Sequence, residues 1–244
     1  MALNERLNEI MRILKENRTA NVKELAKSLY VSEATVRRDL AEMKSLGLIE
    51  RSHGGAILPE NAEEVSIFVR MNKNAKEKEL VATNALPHIP NFHSVFIDSS
   101  STALALAERM DLSFKTVVTN NLQTAINLSK KRDVNLILLG GNVQFNTVSA
   151  TGSWTARQIE EFSFDLMLCS CASIVGESAF ERSLEQKEIK LSAFKRSAKR
   201  ILLVDRTKFE IRESYRFADL SQFDLIVSDA KPPKDFSHFK NFIF

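Results

Sequence analysis

A chain of 244 residues, of which 44% are hydrophobic, is long enough for one large or two ordinary domains with buried cores. Its net charge of +3 is too small to indicate a nucleic-acid partner, so charge has to be judged locally. The sequence has no run of about 18 apolar residues and no signal-peptide pattern at its start, which argues against a membrane span and predicts a cytoplasmic protein.

Three short amphipathic helices are predicted at the start of the chain. Apolar residues at helical spacing mark each of them: Leu3, Leu7, Ile10, Met11 and Leu14 for the first, Val22, Leu25, Ala26 and Leu29 for the second, and Val36, Leu40 and Met43 for the third. Residues 17–21 interrupt the helical pattern between the first two helices. Residues 30–32 form a tight turn before the third helix, with Ser32 as its N-cap.

The third helix carries basic residues away from its apolar stripe. Arg38 points outward, and Thr35 and Arg37 flank it. Arginines beside small residues suit a helix that lies in a DNA groove and reaches phosphates or guanine edges. Two short helices joined by a tight turn, the second with outward arginines, are typical of a helix-turn-helix. The alternative is an amphipathic helix whose polar face is simply solvated.

A β-hairpin is predicted after the third helix, because two short apolar runs within residues 48–59 flank a Ser-His-Gly-Gly sequence. This hairpin would make a winged version of the motif. Arg51 and His53 are expected near the wing tip, where they can touch DNA, although His53 can also be a plain turn residue. The predicted DNA-binding residues are Ser32, Thr35, Arg37, Arg38, Arg51 and His53.

The chain is predicted to form two domains joined by a linker. Residues 1–58 form the winged helix-turn-helix domain, which is mainly α-helical. Residues 59–74 are mixed in composition and acidic at their start, so we expect a linker there that is partly helical through Val65, Phe68 and Val69. Residues 75–235 form the second domain.

The second domain is predicted to be an α/β domain with a mostly parallel sheet. A helix is expected at residues 76–86, and six apolar runs follow at residues 94–98, 115–119, 134–139, 164–170, 201–205 and 223–228. Helical patterns at residues 102–110, 122–131, 154–162 and 184–199 lie between them. Apolar runs without alternation are typical of strands covered on both faces, and strands that alternate with helices indicate parallel pairing.

Polar loops follow several of these strands. Ligands of open α/β sheets bind beyond the carboxyl ends of the strands. Hydroxyl groups before a helix, paired glycines and a lysine together favour a phosphate-bearing polyol as the ligand, although each loop alone is also an ordinary turn or N-cap. The candidate ligand-binding residues in these loops are Asp98, Ser99, Ser100, Ser101, Thr102, Thr119, Asn120, Asn121, Gly140, Gly141, Asp205 and Lys208.

The two cysteines, Cys169 and Cys171, are predicted to point to one face of an apolar strand. A metal or redox pair is conceivable, but small buried residues in a reducing compartment are favoured. The sequence predicts no cofactor and no metal site.

The first domain and the polar loops together resemble the DeoR family of bacterial transcriptional regulators, from about Arg6 to about Asp229. The motifs that carry the resemblance are Leu25-Ala26, Val31-Ser32, Thr35-Val36-Arg37-Arg38-Asp39-Leu40, His53-Gly54-Gly55, Thr119-Asn120, Gly140-Gly141, Lys190, and Asp205 with Lys208-Phe209. The chain departs from the family pattern at Ser100, which replaces a glycine. It departs again at residues 170–173, which lack two glycines and a carboxylate.

The resemblance implies a winged helix-turn-helix joined to a sensor domain related to the ribose-5-phosphate isomerase and coenzyme A transferase folds. It further implies a repressor of a carbohydrate-metabolism operon that responds to a phosphorylated sugar or related metabolite, with Lys190 in the effector site. One winged module reads only a few base pairs, so we expect a homo-oligomer, at least a dimer, joined through the sensor domain.

Two alternatives remain open. An isomerase-like enzyme would use Asp98, Glu181, Lys190 or Asp205 as an acid or base, but enzymatic activity is not expected, because an enzyme has no evident need for the first domain. The other alternative is a regulator whose second domain senses nothing.

Overall fold

The computed structural model describes residues 3–45, 48–58, 66–209, 211–233, 236 and 238–244. The chain divides into two compact units, Met1–Lys73 and Asn74–Phe244. Among the helices of the described residues, none is long and apolar enough to cross a membrane.

The first unit contains the three predicted helices and a small sheet. Its elements in chain order are α1 (Leu3–Asn17), β1 (Thr19–Asn21), α2 (Val22–Leu29), α3 (Glu33–Ser45), β2 (Glu50–Ser52), β3 (Gly55–Ile57) and α4 (Ile67–Asn72). The apolar stripes of α1, α2 and α3 meet in one core, which includes Leu14, Leu25 and Leu40. The predicted cap is confirmed, because the Ser32 hydroxyl accepts a hydrogen bond from the Thr35 amide at 3.2 Å.

The sheet of the first unit has three strands, one more than the predicted hairpin. The hairpin is confirmed as β2 and β3, which pair antiparallel. The break predicted at residues 17–21 also contains β1, which pairs with the other edge of β3. Gly55 permits this pairing, since a Cβ atom there would lie only 2.2 Å from the Ala20 carbonyl oxygen. A three-residue strand beside a helix break gives too short a pattern to be predicted.

The predicted linker is only partly described. Residues 59–65 lie outside the described residues. In the remainder, α4 confirms the partly helical character that was predicted, and its Val69 packs against the core of the first unit. The hydroxyl of Ser66 accepts a hydrogen bond from the Phe68 amide at 3.3 Å, and Ile67 is buried, so this segment is an ordered helix.

A buried ion pair fastens α1 to α3. Arg6 donates from Nε and Nη2 to the two carboxylate oxygens of Asp39, at 2.8 and 2.9 Å. Asp39 is 2% exposed, so its charge depends on this arginine. The pair fixes the helix that carries Arg37 and Arg38.

The second unit is an α/β domain. Its helices are α5 (Ala75–Ala85), α6 (Ser101–Arg109), α7 (Leu122–Leu128), α8 (Ser153–Glu160) and α9 (Leu184–Lys195). Its strands are β4 (Ser94–Ile97), β5 (Thr116–Thr119), β6 (Asn135–Leu138), β7 (Asn142–Gln144), β8 (Ser149–Thr151), β9 (Phe164–Cys169), β10 (Ser173–Val175), β11 (Ser178–Glu181), β12 (Ser197–Val204), β13 (Tyr215–Asp219), β14 (Leu225–Ser228) and β15 (Phe242–Ile243).

Seven strands form one parallel sheet in the order β15-β14-β12-β9-β4-β5-β6. Helices α5, α6 and α7 cover one face, and α8 and α9 cover the other. The six predicted strands and the fold class are therefore confirmed. The helix predicted over residues 184–199 was too long, because α9 ends at Lys195 and β12 already begins at Ser197, which pairs with Phe164.

Two small antiparallel additions were not predicted. Strands β7 and β8 form a hairpin, and β10, β11 and β13 form a three-stranded sheet. Each strand has only three to five residues, so the sequence contains too few alternating positions to reveal them. Strand β15 has two residues and was also missed.

The two cysteines are buried in the same hydrophobic cluster and are not joined by a disulfide. Burial raises the pKa of Cys169 well above its ordinary value and that of Cys171 to about 12. This agrees with the prediction of small core residues on one face.

We expect Arg6→Ala to destabilise the first unit clearly, since it removes the cation that pairs with the buried Asp39 carboxylate. Urea unfolding followed by circular dichroism measures the change. Arg12→Ala is the matched control, because Arg12 sits on the same helix in exposed pairs with Glu9 and Glu16, and such pairs contribute little to stability. Equal effects of the two variants would contradict a structural role for Arg6.

Candidate functional site

The outer face of α3 is available for binding. Arg37 and Arg38 are exposed, and Thr35 is half-buried. The hydroxyl oxygens of Ser32 and Thr35 lie 2.9 Å apart at the start of the helix. The guanidinium of Arg37 lies 3.5 Å from the carboxylate of Glu33 in a solvent-exposed pair. Such a pair is weak, so a phosphate could take the place of Glu33 at little cost in free energy.

The wing places its two predicted residues differently. His53 is exposed in the turn between β2 and β3, beside Gly54, whose φ of +83° suits glycine. Arg51 lies within β2 opposite Ala56 and is half-buried, with Nη1 enclosed and without a hydrogen-bond partner among the described residues. The structure thus brings His53 to the tip and Arg51 to the body of the wing.

The second candidate site lies at the carboxyl ends of β4 and β9 and centres on a buried lysine. Lys190 on α9 donates to Asp98 at 2.8 Å, to Glu181 at 2.5 Å and to the Ser170 carbonyl at 2.5 Å. Lys190, Asp98 and Glu181 are each no more than 5% exposed. The lysine therefore uses its three protons to join the ends of two core strands to β11.

The charges of this group influence one another's pKa values. Burial alone would lower the pKa of Lys190, but the carboxylates of Asp98 and Glu181 raise it above its ordinary value. Burial raises the pKa of Glu181, and the charge of Lys190 partly offsets that effect. Lys190 consequently stays protonated and cannot act as a base.

The loop after β4 is buried, and its side chains make hydrogen bonds within the protein. Ser100 is the N-cap of α6: its hydroxyl accepts a hydrogen bond from the Ala103 amide and donates one to Asp98. Its φ of −86° is ordinary, so the chain needs no glycine at this position. Ser99, Ser101 and Thr102 are also buried. The hydroxyls of this loop line the interior rather than the surface.

Asn120 and Asn121, at the end of β5, have different surroundings. The carboxamide of Asn121 caps α7 and donates to the carbonyls of Thr147 and Val148, so its hydrogen bonds are made within the protein. Asn120 donates to the Ala150 carbonyl at 2.9 Å, but its Oδ1 is buried without a hydrogen-bond partner among the described residues. A buried acceptor without a partner calls for an explanation, and a donor from outside the chain would supply one.

Sequence reasoning missed Gln186, which links the loop after β4 to the β7–β8 hairpin. Its Oε1 accepts from Ser99 at 2.8 Å, and its Nε2 donates to Thr147 at 3.2 Å and to Ser149 at 2.8 Å. Gln186 lies four residues before Lys190 on α9, so both face the same side of the helix. That spacing was the signal that could have found it.

The glycine loop after β6 is exposed and is held by α8. The Gly140 carbonyl accepts from Thr155 and Gln158. At Gly141 a Cβ atom would lie 2.0 Å from Thr155 Oγ1, so the close approach of α8 requires glycine. The contacts explain Gly141 structurally, without any ligand, whereas a Cβ atom at Gly140 would lie 3.9 Å from its nearest neighbour, so nothing there requires glycine.

The loop after β12 places Asp205 and Lys208 on the same edge of the sheet. Asp205 accepts hydrogen bonds from the Thr207 amide and hydroxyl and from Asn74, so its carboxylate organises the loop. Lys208 is half-buried, and burial raises the pKa of both Glu181 and Cys171, an effect that the nearby charge of Lys208 partly offsets. A second cation therefore stands beside the buried group of Asp98, Glu181 and Lys190.

Comparison with known proteins gives concordant matches over most of the chain. A model described as the DeoR-like helix-turn-helix domain matches residues 6–62, and one described as the DeoR C terminal sensor domain matches residues 73–230. The HTH-type transcriptional regulator GolR of Listeria innocua is 34% identical over 230 residues, which cover 93% of this chain and 91% of that protein.

The glycerol-3-phosphate regulon repressor of Escherichia coli is 31% identical over 235 residues, which cover 96% of this chain and 93% of that protein. Among solved structures, ribose 5-phosphate isomerase A of Methanocaldococcus jannaschii matches with a TM-score of 0.40 and 13% identity, covering 56% of this chain and 55% of that one.

We expect Lys190→Met to lower stability by about 3–5 kcal/mol at neutral pH, because two buried carboxylates lose their cation. The pKa of Glu181 should then rise further. Glu181 would then keep its proton in the folded protein at pH values at which the unfolded protein has already released it. The free energy of unfolding should therefore fall as the pH rises from about 5 to about 8.

Chemical unfolding at these two pH values measures the effect. The control is Lys199→Met, because Lys199 pairs with Asp224 at the surface. Glu181→Gln combined with Lys190→Met should remove most of the pH dependence. A pH dependence like that of the unsubstituted protein would contradict the proposed charge balance.

Proposed function

Because the chain belongs to the DeoR family of transcriptional regulators, we propose that it represses a carbohydrate-metabolism operon by binding operator DNA in the cytoplasm. The family models match both of its units, and one relative is named as the repressor of a glycerol-3-phosphate regulon. The observation that carries the DNA-binding part is the exposed face of α3, where Arg37 and Arg38 stand beside a capped amino end.

The proposed DNA contacts divide by chemistry. Arg38 would read a base edge, since it projects from the middle of the outer face and an arginine can bind guanine with two hydrogen bonds. Arg37, Ser32 and Thr35 would contact phosphates at the start of α3, and His53 would do so at the wing. Arg51 is assigned a supporting role, because its guanidinium is partly enclosed.

We expect Arg38→Ala to weaken operator binding by about 1–3 kcal/mol while non-specific binding changes little. Operator duplexes selected from a random library, titrated in mobility-shift assays at several salt concentrations, measure both. Arg12→Ala is the control from outside the binding face. If specific and non-specific affinity fall together and the salt slope shrinks, Arg38 contacts a phosphate instead, and unchanged affinity would remove it from the interface.

For the second unit, we propose a phosphorylated sugar or polyol as the effector that controls DNA binding. The observation that carries this proposal is the Oδ1 of Asn120, which is buried without a hydrogen-bond partner among the described residues and could accept from a ligand hydroxyl. The proposed pocket comprises Asp98, Ser99, Ser100, Ser101, Thr102, Thr119, Asn120, Asn121, Gly140, Gly141, Lys190, Asp205 and Lys208.

The members of this pocket have different proposed roles. Lys208 would supply positive charge for the phosphate, together with the amino end of α6. Asn120 would bind a hydroxyl group. Lys190 would act indirectly, because its three protons already serve Asp98, Glu181 and the Ser170 carbonyl. Asn121, Gly140 and Gly141 would shape the pocket through their contacts within the chain.

A regulatory rather than a catalytic role is proposed for this site. The relatives are named as regulators, and the raised pKa of Lys190 keeps it from acting as a proton acceptor. We further propose that the chain acts as at least a dimer, because two winged modules on neighbouring half-sites gain affinity from each other. Ligand binding would shift the protein toward a form with weaker DNA affinity, which requires different ligand affinities in the two forms.

We expect Lys208→Ala to abolish binding of phosphorylated ligands with little loss of stability. Calorimetric titration with a panel of sugar and polyol phosphates, including glycerol 3-phosphate, measures this. Lys231→Ala is a control at another exposed lysine. Asn120→Ala should weaken binding of the phosphate and of the unphosphorylated polyol alike, whereas Lys208→Ala should affect only the former. Equal binding by Lys208→Ala and the unsubstituted protein would refute the phosphate role.

A further inference from the structure

The turn between α2 and α3 contains an unusual tyrosine. Tyr30 has φ 55° and ψ 41°, the left-handed conformation, and it is 95% exposed. The turn requires this conformation, because the Tyr30 amide donates to the Lys27 carbonyl at 3.4 Å and the Val31 amide donates to the Ala26 carbonyl at 3.1 Å. These two bonds end α2 and turn the chain into α3.

A tyrosine is an unfavourable choice for such a turn. A side chain in the left-handed region is strained, whereas glycine tolerates it freely and asparagine better than most residues. Burial of the ring could compensate, but the ring is almost entirely in solvent. The apolar contact that accompanies this type of helix end comes from Val31, which packs against the core of the first unit. Folding of the turn therefore does not use the phenol ring.

The position of Tyr30 suggests a contact outside the chain. It lies two residues before Ser32, the cap of α3, and so at the amino end of the helix that carries Arg38. In a helix-turn-helix the amino end of the second helix enters the major groove. The chain just before that end passes close to the sugar-phosphate backbone, where tyrosine hydroxyls are common donors.

We propose that the Tyr30 hydroxyl donates a hydrogen bond to a DNA phosphate beside the groove that α3 enters. This proposal rests on DNA binding by the helix-turn-helix. The contact fixes how deeply and in which register α3 sits, so it positions the arginines without reading a base. Because a phenol is neutral, the contact adds affinity without releasing a counterion. This property separates Tyr30 from any lysine or arginine contact.

Phe114 provides a matched control. It is also an aromatic residue in the left-handed conformation, with φ 60°, and it is 84% exposed. It lies in the second unit, between α6 and β5. Replacing either residue by asparagine relieves the same type of strain, but Tyr30 belongs to the turn that leads into α3, whereas Phe114 belongs to a loop of the second unit.

The experiment titrates four proteins with a mixed-sequence DNA duplex and with the tightest duplex selected from a random library. These are the unsubstituted chain, Tyr30→Phe, Tyr30→Asn and Phe114→Asn. Tyr30→Phe should bind both duplexes roughly threefold to tenfold more weakly, as expected for a lost hydrogen bond. The slope of affinity against salt concentration should be unchanged. Tyr30→Asn should bind as weakly as Tyr30→Phe while unfolding at a higher temperature.

Phe114→Asn should also unfold at a higher temperature but should bind DNA like the unsubstituted chain. The proposal is overturned if Tyr30→Phe binds both duplexes normally, or if its salt slope falls as for a lost cation. It is also overturned if Phe114→Asn weakens binding equally, since strain relief would then explain the loss. Failure of the unsubstituted chain to bind any duplex would instead refute DNA binding itself, which distinguishes the two failures.

Discussion

The second unit depends on one buried ion group, formed by Lys190 with Asp98 and Glu181. Three charges in the core are tolerable only because each has a partner at hydrogen-bond distance. The group joins a helix, a central strand and the small three-stranded sheet, so none of these can move without separating charges in a medium of low polarity. The group therefore holds the ends of these elements together beside the candidate site.

Much of the fold follows from local patterns. The core helices of the first unit have clear 3.6-residue periods, and strands covered on both faces leave long apolar runs such as residues 164–170. Short strands and element ends are less predictable. Helix α9 ends at Lys195 because Ser197 pairs with Phe164 on a neighbouring strand, and that pairing is not encoded within either segment.

The candidate site shows the same division. Residues at strand ends, such as Asp98 and Asn120, can be identified because topology brings those ends to one edge of the sheet. Their individual roles depend on contacts between distant segments. Glu181 becomes a partner of Lys190 only because β11 folds against α9, and Asn121 is committed to the β7–β8 hairpin. Sequence therefore predicts which side chains come to this edge better than which contacts each side chain makes.

The burial of Cys169 and Cys171 has a practical consequence. Thiol reagents attack the thiolate, and both groups are buried with raised pKa values, so alkylation must wait until the sheet opens. The rate of labelling then reports how often the interior of the second unit is exposed. The two thiols therefore serve as built-in probes of local opening. They flank Ser170, whose carbonyl accepts a hydrogen bond from Lys190, so they report on opening beside the buried ion group.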